Sequence, residues 1–184
     1  MKKILCIIPA RKGSKGIKNK NMQNVNGKPL IQYSINFAKK LSKTVDICVS
    51  TDSKKIKNII EANSLNFYGF RPKKLCTDQA LTIDVVKFEL KKLEKKYRKE
   101  YEYILLLQPT CPIRKINHLK KIIKNVKSKK NNYNCGISLQ RVNSSHPLRM
   151  KIIKNGYVKN FILSDKEDMR PRQDLPKVYL RNGS

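Results

Sequence analysis

The sequence predicts an α/β fold in which a mostly parallel sheet carries helices on both faces, with a small antiparallel hairpin protruding from it. Short runs that are apolar at successive positions alternate with longer segments whose apolar residues recur at helical spacing. Such runs are typical of strands buried on both faces, and their alternation with helices indicates a parallel sheet built from crossover units. An Asn-Gly pair between two apolar pairs predicts the hairpin.

The first third of the chain shows this alternation twice. The apolar run Ile4–Pro9 predicts the first strand, and residues 30–41 predict the first helix because their apolar residues fall on one face. Residues 46–51 predict a second strand, and a second helix is predicted from Lys54 onward. This part is therefore expected to fold as a βαβα unit.

The pattern continues through the middle of the chain. An apolar stripe at helical spacing over 83–97 predicts a third helix, and residues 103–107 predict the next strand. A similar stripe over 116–126 predicts a fourth helix, after which residues 136–142 return to strand character. We interpret these stripes as core and assign them no function.

Beyond residue 144 the character of the sequence changes. The pairs Ile152-Ile153 and Tyr157-Val158 flank Asn155-Gly156, which is a strong short-range signal for a hairpin. The region of about 144–170 is therefore predicted to protrude from the α/β core as a lid or a subunit contact.

Length and composition favour a single cytoplasmic domain. A chain of 184 residues with 39% hydrophobic content is expected to form one compact domain over 1–184. No run approaches the roughly 18 apolar residues of a membrane span, so no membrane partner is expected. Five cysteines without a C-x-x-C pair suit neither a disulfide framework nor a zinc site and are typical of a cytosolic protein.

The net charge of +29 is the least expected property of the composition. A charge of this size is a common mark of nucleic-acid binding. Many lysines, however, fall at predicted solvent-facing helix positions, and the chain has no zinc finger, RNA-binding aromatic motif or separate basic tail. Nucleic acid is therefore not the expected partner, although the charge would attract phosphate-rich substrates.

The loop after the first strand, residues 9–16, predicts a phosphate site. Gly13 and Gly16 allow backbone N–H groups to turn toward an anion, and Arg11 and Lys15 supply positive charge. The glycine spacing fits neither a Walker A loop nor the dinucleotide fingerprint G-x-G-x-x-G. The loop therefore indicates a nucleotide-handling enzyme outside those two classes.

Other polar residues follow the predicted strands at the same edge of the sheet. In open parallel sheets ligands bind beyond the carboxyl ends of the strands, so these residues are expected to converge on one crevice. They are Arg11, Ser14 and Lys15 after the first strand, Ser50, Thr51, Asp52 and Ser53 after the second, and Gln108, Thr110 and Arg114 after the later one.

Several motifs in fixed order make the whole chain resemble the acylneuraminate cytidylyltransferases, or CMP-sialic acid synthetases, including the legionaminic and pseudaminic acid enzymes. This resemblance implies a Rossmann-like fold of the nucleotide-diphospho-sugar transferase type. The motifs are residues 8–16, Lys20-Asn21, Gly27-Lys28-Pro29-Leu30, Ser50-Thr51-Asp52-Ser53, Arg71-Pro72 with Leu75 and Asp78, Leu106-Leu107-Gln108-Pro109-Thr110, and Arg172-Gln173-Asp174-Leu175-Pro176 with Asn182-Gly183.

The resemblance implies a reaction and its partners. The family transfers CMP from CTP to the anomeric hydroxyl of a nine-carbon acidic sugar and releases pyrophosphate, with Mg²⁺ or Mn²⁺ as cofactor. The sugar hydroxyl attacks the α-phosphate in line, so catalysis depends on positioning and charge neutralisation. The family also implies a homodimer formed through the protruding element.

The resemblance assigns roles position by position. Arg11 and Lys15 are the implied catalytic residues. The implied CTP-binding residues are Arg11, Ser14, Lys15, Lys20, Asn21, Arg71, Ala80 and Thr82, of which the last three would read cytosine. The implied sugar-acid residues are Gln108, Arg172 and Asn182. In the family an Arg-Pro-Asn-Gly segment surrounds the last of these, whereas this chain has Leu180-Arg181-Asn182-Gly183.

The metal site is the part of the family pattern that this sequence does not carry. In the family the Asn-Gly segment leads to a further strand, an Asp-x-Asp metal pair and a terminal helix, which would lie beyond Ser184. We therefore expect a C-terminally truncated chain in which no metal ligand is assignable, with Asp52 as a candidate.

Alternative interpretations remain at this stage. Asp52 and Asp78 each precede a predicted helix and could simply cap it. A cytidylyltransferase for the eight-carbon acid Kdo is disfavoured because residues 8–16 and Arg172-Gln173 look closer to the sialic group. A non-catalytic, basic nucleotide- or nucleic-acid-binding protein on the same scaffold is the alternative from another class.

Overall fold

The computed structural model describes residues 3–14, 16–128, 132–142, 145–162 and 170–182. The chain divides into two compact units: unit 1 comprises Met1–Asn134 with Gly183–Ser184, and unit 2 comprises Cys135–Asn182. The expectation of one domain over the whole chain stays a prediction. Each unit is described by itself.

The regular elements follow the predicted alternation. The strands are β1 (Ile4–Pro9), β2 (Asn24–Val25), β3 (Lys28–Pro29), β4 (Val45–Ser50), β5 (Tyr103–Leu106), β6 (Leu139–Arg141), β7 (Lys151–Lys154), β8 (Tyr157–Asn160) and β9 (Tyr179–Arg181). The helices are α1 (Leu30–Lys39), α2 (Lys54–Ala62), α3 (Thr82–Tyr97) and α4 (Ile116–Lys127).

Unit 1 is built on a parallel sheet in the order β4-β1-β5. Ile4 of the central strand pairs with Val45 on one side and with Tyr103 on the other. Cys6 and Ile7 of the central strand are completely buried, because both faces of the sheet are covered. The predicted parallel sheet is therefore confirmed.

The two faces of β1 pack against different helices. Alternate residues such as Cys6 and Ile8 join a cluster with α1 and α2, whereas Leu5 and Ile7 join one that contains Val86 of α3. This period-two division is what a strand with both faces covered requires. It confirms the prediction of helices on both faces of the sheet.

The predicted strand at 136–142 is shorter and lies elsewhere. β6 pairs antiparallel with β9 in unit 2, with Gln140 opposite Leu180, and takes no part in the parallel sheet. Its residues are exposed, and the polar Gln140 and Arg141 could not occupy a strand buried on both faces without partners. Its assignment to the parallel sheet was therefore wrong.

The predicted hairpin is confirmed in unit 2. β7 and β8 pair antiparallel around Asn155 and Gly156, which have φ angles of 53° and 81°. Two consecutive residues with positive φ form the turn whose twist matches a two-residue hairpin. Within the described ranges, no helix combines the length and the apolar character that a membrane crossing would need.

Candidate functional site

A cavity of about 490 Å³ opens in unit 1 at the carboxyl ends of β1 and β5 and the start of α3. This is the edge at which open parallel sheets bind ligands. Eight residues with binding roles implied by the resemblance line it: Arg11, Ser14, Lys20, Asn21, Arg71, Ala80, Thr82 and Gln108. The structure therefore brings the phosphate loop, the segment implied to read cytosine and one implied sugar residue to a single crevice.

Three other residues with roles implied by the resemblance are not among those that line the cavity, and neither is the candidate metal ligand Asp52. Lys15 lies outside the described residues, as does the side chain of Arg172, whose backbone begins a short 3₁₀ helix in unit 2. Asn182 also belongs to unit 2, where its Oδ1 accepts a hydrogen bond from the Ser138 hydroxyl. Their roles stay predictions.

The phosphate loop is held by side chains from three segments. Asn21 Nδ2 donates to the Arg11 carbonyl at 3.0 Å, and the Lys12 N–H donates to Asp52 Oδ1 at 2.6 Å. The Arg11 guanidinium donates to the Cys76 carbonyl at 3.2 Å and forms an ion pair with Asp78. The loop is therefore fixed in place, with its arginine already neutralised by a carboxylate.

These contacts also correct the capping interpretation of Asp52 and Asp78. Ser53 caps α2, and its hydroxyl accepts from the Ile56 N–H at 3.4 Å. Leu81 precedes α3 and makes no side-chain cap. Both carboxylates therefore hold the phosphate loop, because a nearby N–H and a guanidinium offer them charge-assisted bonds.

Arg71 is buried and fixed by three hydrogen bonds. Its Nε donates to the Ser50 hydroxyl at 3.1 Å, one terminal nitrogen donates to the Ser50 carbonyl at 2.7 Å, and the other donates to the Leu75 carbonyl at 3.3 Å. Burial lowers the pKa of this guanidinium, because a charged group loses its hydration there. The Arg71 guanidinium lies at the cavity wall despite this loss of hydration, and a cation in such a position is suited to bind an electron-rich group.

The sequence analysis did not assign the observed roles of two polar residues near the site, the buried Glu89 and the partly buried Arg114. Glu89 lies on the core face of α3, three residues after Val86 and four before Leu93, and that position could have revealed it. Arg114 was predicted to face the crevice, but its guanidinium donates to Ser34 Oγ at 3.1 Å and to the Gln108 carbonyl. Arg114 therefore supports the backbone of the crevice, and burial lowers its pKa.

The family assignment follows from a comparison of the sequence. A family model described as Cytidylyltransferase matches residues 5–176. The chain belongs to the cytidylyltransferase family. The matched region includes β1 from Leu5 onward, the phosphate loop and every residue that lines the cavity.

The relatives that match this chain are named after acidic sugars. The N-acylneuraminate cytidylyltransferase of Streptococcus agalactiae serotype V is 34% identical over 99% of this chain and 42% of the relative. The CMP-N,N'-diacetyllegionaminic acid synthase of Legionella pneumophila is 39% identical over 61% of this chain and 48% of that protein. The chain therefore spans less than half the length of either relative.

A solved structure supports the fold class. The structure of CMP:2-keto-3-deoxy-manno-octonic acid synthetase complexed with CTP has a TM-score of 0.64 to this chain, with 17% sequence identity. The match covers 98% of this chain and 74% of that one. At this identity the likeness concerns the fold alone, and it confirms the predicted α/β fold class.

The described residues contain no preformed cluster of metal ligands. No group of three or more His, Cys, Asp or Glu side chains that could hold an ion occurs among them. Asp52, the candidate ligand, uses one carboxylate oxygen for the Lys12 N–H. Because Mg²⁺ commonly takes one or two protein carboxylates and completes its shell with phosphates and water, Asp52 fits as a single ligand.

Proposed function

We propose that this chain transfers CMP from CTP to the anomeric hydroxyl of a sialic-type nonulosonic acid and releases pyrophosphate. One observation carries the proposal: eight residues with implied roles in CTP or sugar binding line one cavity in a chain of the cytidylyltransferase family. The names of the relatives from Streptococcus agalactiae and Legionella pneumophila support a nine-carbon acid as the acceptor.

In this proposal the phosphate loop binds the triphosphate. Arg11 and Lys15 neutralise the charge that develops on the α-phosphate and the leaving pyrophosphate, and Ser14, Lys20 and Asn21 hold the loop and the phosphates. Arg11 first exchanges its ion pair with Asp78 for the phosphate oxygens. No protein nucleophile is required, since the sugar hydroxyl itself attacks the phosphorus in line.

The base and the sugar occupy the remainder of the site. Arg71, Ala80 and Thr82 bind cytosine at the wall next to the start of α3. Gln108 faces the sugar acid after β5. Arg172 and Asn182 of unit 2 keep the sugar-acid roles that the resemblance implies. Arg114 keeps the Gln108 backbone in position through the Gln108 carbonyl.

Mg²⁺ or Mn²⁺ is the proposed cofactor. Such an ion supplies charge neutralisation to the triphosphate when bound. Asp52 is the protein ligand that fits, because its carboxylate lies at the phosphate loop and has a second oxygen in addition to the one that accepts from Lys12.

The proposal extends to assembly and location. The hairpin β7–β8 exposes Ile153 and Val158, which are 80% and 68% accessible, and exposed apolar surface of this kind favours a partner copy. We therefore propose that the chain forms a homodimer through this hairpin. A cytoplasmic location agrees with five free cysteine thiols.

Two other functions remain testable alternatives. A Kdo cytidylyltransferase is favoured by the fold likeness to CMP:2-keto-3-deoxy-manno-octonic acid synthetase, and disfavoured by the names of the sequence relatives. A non-catalytic basic binding protein is favoured by the net charge of +29.

The first experiment measures pyrophosphate release from CTP and Mg²⁺ with N-acetylneuraminic, legionaminic, pseudaminic and Kdo acids. We expect release with a nine-carbon acid and none with UTP in place of CTP. Lys15→Ala should abolish transfer, whereas the matched variant Lys159→Ala on the exposed strand β8 should retain it. Release with Kdo alone would favour the eight-carbon alternative. Absence of CTP binding, with Lys15→Ala only slightly weakening nucleic-acid affinity, would favour the basic binding protein.

A further inference from the structure

Glu89 is a buried carboxylate to which the proposed reaction assigns no role. Its side chain is fully enclosed on the core face of α3. A buried carboxylate without partners loses several kcal/mol of hydration free energy, so it requires compensating contacts. The Lys92 ammonium forms an ion pair with its Oε2, the Cys48 thiol lies 3.7 Å from the same oxygen, and the Ser50 hydroxyl donates to Oε1 at 2.6 Å.

Ser50 connects this carboxylate to the cavity. Its hydroxyl carries a single proton, the carboxylate can only accept, and the Arg71 guanidinium can only donate. The proton therefore points to Glu89, and an oxygen lone pair faces Arg71 Nε at 3.1 Å. A continuous chain of polar contacts, Lys92 to Glu89 to Ser50 to Arg71, runs from α3 to the wall of the cavity.

This chain fixes the plane of the Arg71 guanidinium. Three of its five N–H groups are used by Ser50 and the Leu75 carbonyl, which leaves two donors for a ligand in the cavity. Burial lowers the pKa of Arg71. Glu89 acts on this cation through the Ser50 hydroxyl, which accepts from Arg71 Nε.

A hydrogen-bond donor with a fixed orientation can distinguish cytosine from uracil. Cytosine presents two adjacent acceptors, O2 and N3, whereas uracil carries a hydrogen on N3. A site with fixed donors rejects a ligand that leaves those donors unpaired. A guanidinium free to rotate could turn away from the uracil N3–H and would lose this discrimination.

We propose that Glu89 is a positioning residue for base selection: through the Ser50 hydroxyl it holds Arg71 in the orientation that accepts cytosine and rejects uracil. The inference rests on the proposed function, in which Arg71 faces the base. Glu89 itself touches no ligand. Its effect reaches the nucleotide only through Ser50 and Arg71.

The test compares dissociation constants for CTP and UTP by titration calorimetry on the full chain. Glu89→Leu removes both acceptor oxygens at a similar side-chain volume, and Ser50→Ala removes the connecting hydroxyl. Each variant should lower the ratio of UTP to CTP dissociation constants about tenfold. The double variant should lower it no further than the stronger single variant, because both changes interrupt the same chain of contacts.

Leu93→Ala is the matched control, because Leu93 is buried on the same helix and lies outside the polar chain. It should lower Tm but leave the ratio within twofold of wild type. If Glu89→Leu fails to fold by circular dichroism, the measurement on Ser50→Ala tests the inference. A wild-type ratio in the folded variants, with normal CTP binding by wild type, would overturn this inference and leave the proposed function standing. A wild-type chain that binds no CTP would overturn both.

Discussion

Unit 1 and unit 2 differ in how much of their regular structure is buried. In unit 1 the strands β1 and β4 are almost entirely enclosed, and their side chains pack against helices on two faces. In unit 2 the strands β6, β7, β8 and β9 are largely exposed, and Leu175 is the one buried residue among those described there. Both units contain hydrogen-bonded strands, but one of them encloses a core.

The difference shows that strand pairing and a hydrophobic core are separate sources of stability. An isolated two-stranded pair is marginal in water, whereas apolar burial contributes about 25 cal/mol per Å². Unit 1 therefore supplies most of the folding free energy and also holds the cavity. Unit 2 presents apolar side chains, among them Ile153 and Tyr157, that are available to a partner.

The largest expected effect is on stability. Ile7→Ala in the centre of the parallel sheet should lower the free energy of unfolding by about 3 kcal/mol, because it leaves a cavity in a closed core. Ile153→Ala in the hairpin should change it by less than about 0.5 kcal/mol. Urea denaturation of both variants measures the contrast. Equal losses would show that the hairpin is part of the cooperative core.

The second-largest expected effect is on nucleotide binding, and it is measured by comparing substitutions of two arginines. Arg71→Ala should weaken CTP binding about 100-fold, because the cavity loses a buried cation that donates charge-assisted hydrogen bonds. Arg149→Ala on the exposed surface of unit 2 should change it less than about twofold. Calorimetric titration with CTP measures both. A small effect of Arg71→Ala would place the base elsewhere.

The third effect concerns pH and the buried thiol of Cys6. Burial raises its pKa to about 12 from the usual 9.0, so between these values the native state keeps a proton that the unfolded chain loses. Stability should therefore fall as pH rises above 9, by about 1 kcal/mol from this thiol between pH 9 and 10. Urea denaturation at pH 8, 9 and 10 measures the loss.

The control for that prediction is Cys6→Ala, which should have a shallower loss than wild type over the same pH range. In unit 2, Cys135 is exposed and should react with iodoacetamide in the native protein, while Cys6 reacts only after unfolding. Rapid native labelling of Cys6 would contradict the burial of β1.

The smallest expected effect lies within the phosphate loop. Asp78→Asn removes the carboxylate that competes with phosphate for Arg11, so CTP should bind about threefold more tightly. Titration with CTP and the rate of pyrophosphate release test this. If transfer instead fell by orders of magnitude, Asp78 would belong to the catalytic machinery.

Sequence patterns alone predicted the parallel sheet, the helices on both faces, the hairpin and the position of the crevice. Periodicity reports which faces are buried, the Asn155-Gly156 pair specifies a tight turn, and parallel strands place their carboxyl ends at one edge. Ordered motifs also pointed to the cytidylyltransferase family. These properties are local in sequence, or follow from rules of chain connection.

The contacts between side chains that lie far apart in the sequence were seen in the folded structure and had not been predicted from the sequence. The tertiary structure paired β6 with β9 instead of the parallel sheet, turned Asp52 and Asp78 to the phosphate loop instead of to helix ends, and joined Glu89 to Arg71 through Ser50. Hydrogen bonds depend on ångström-scale distances between atoms from different elements. Packing sets those distances, and residue spacing along the chain does not encode them.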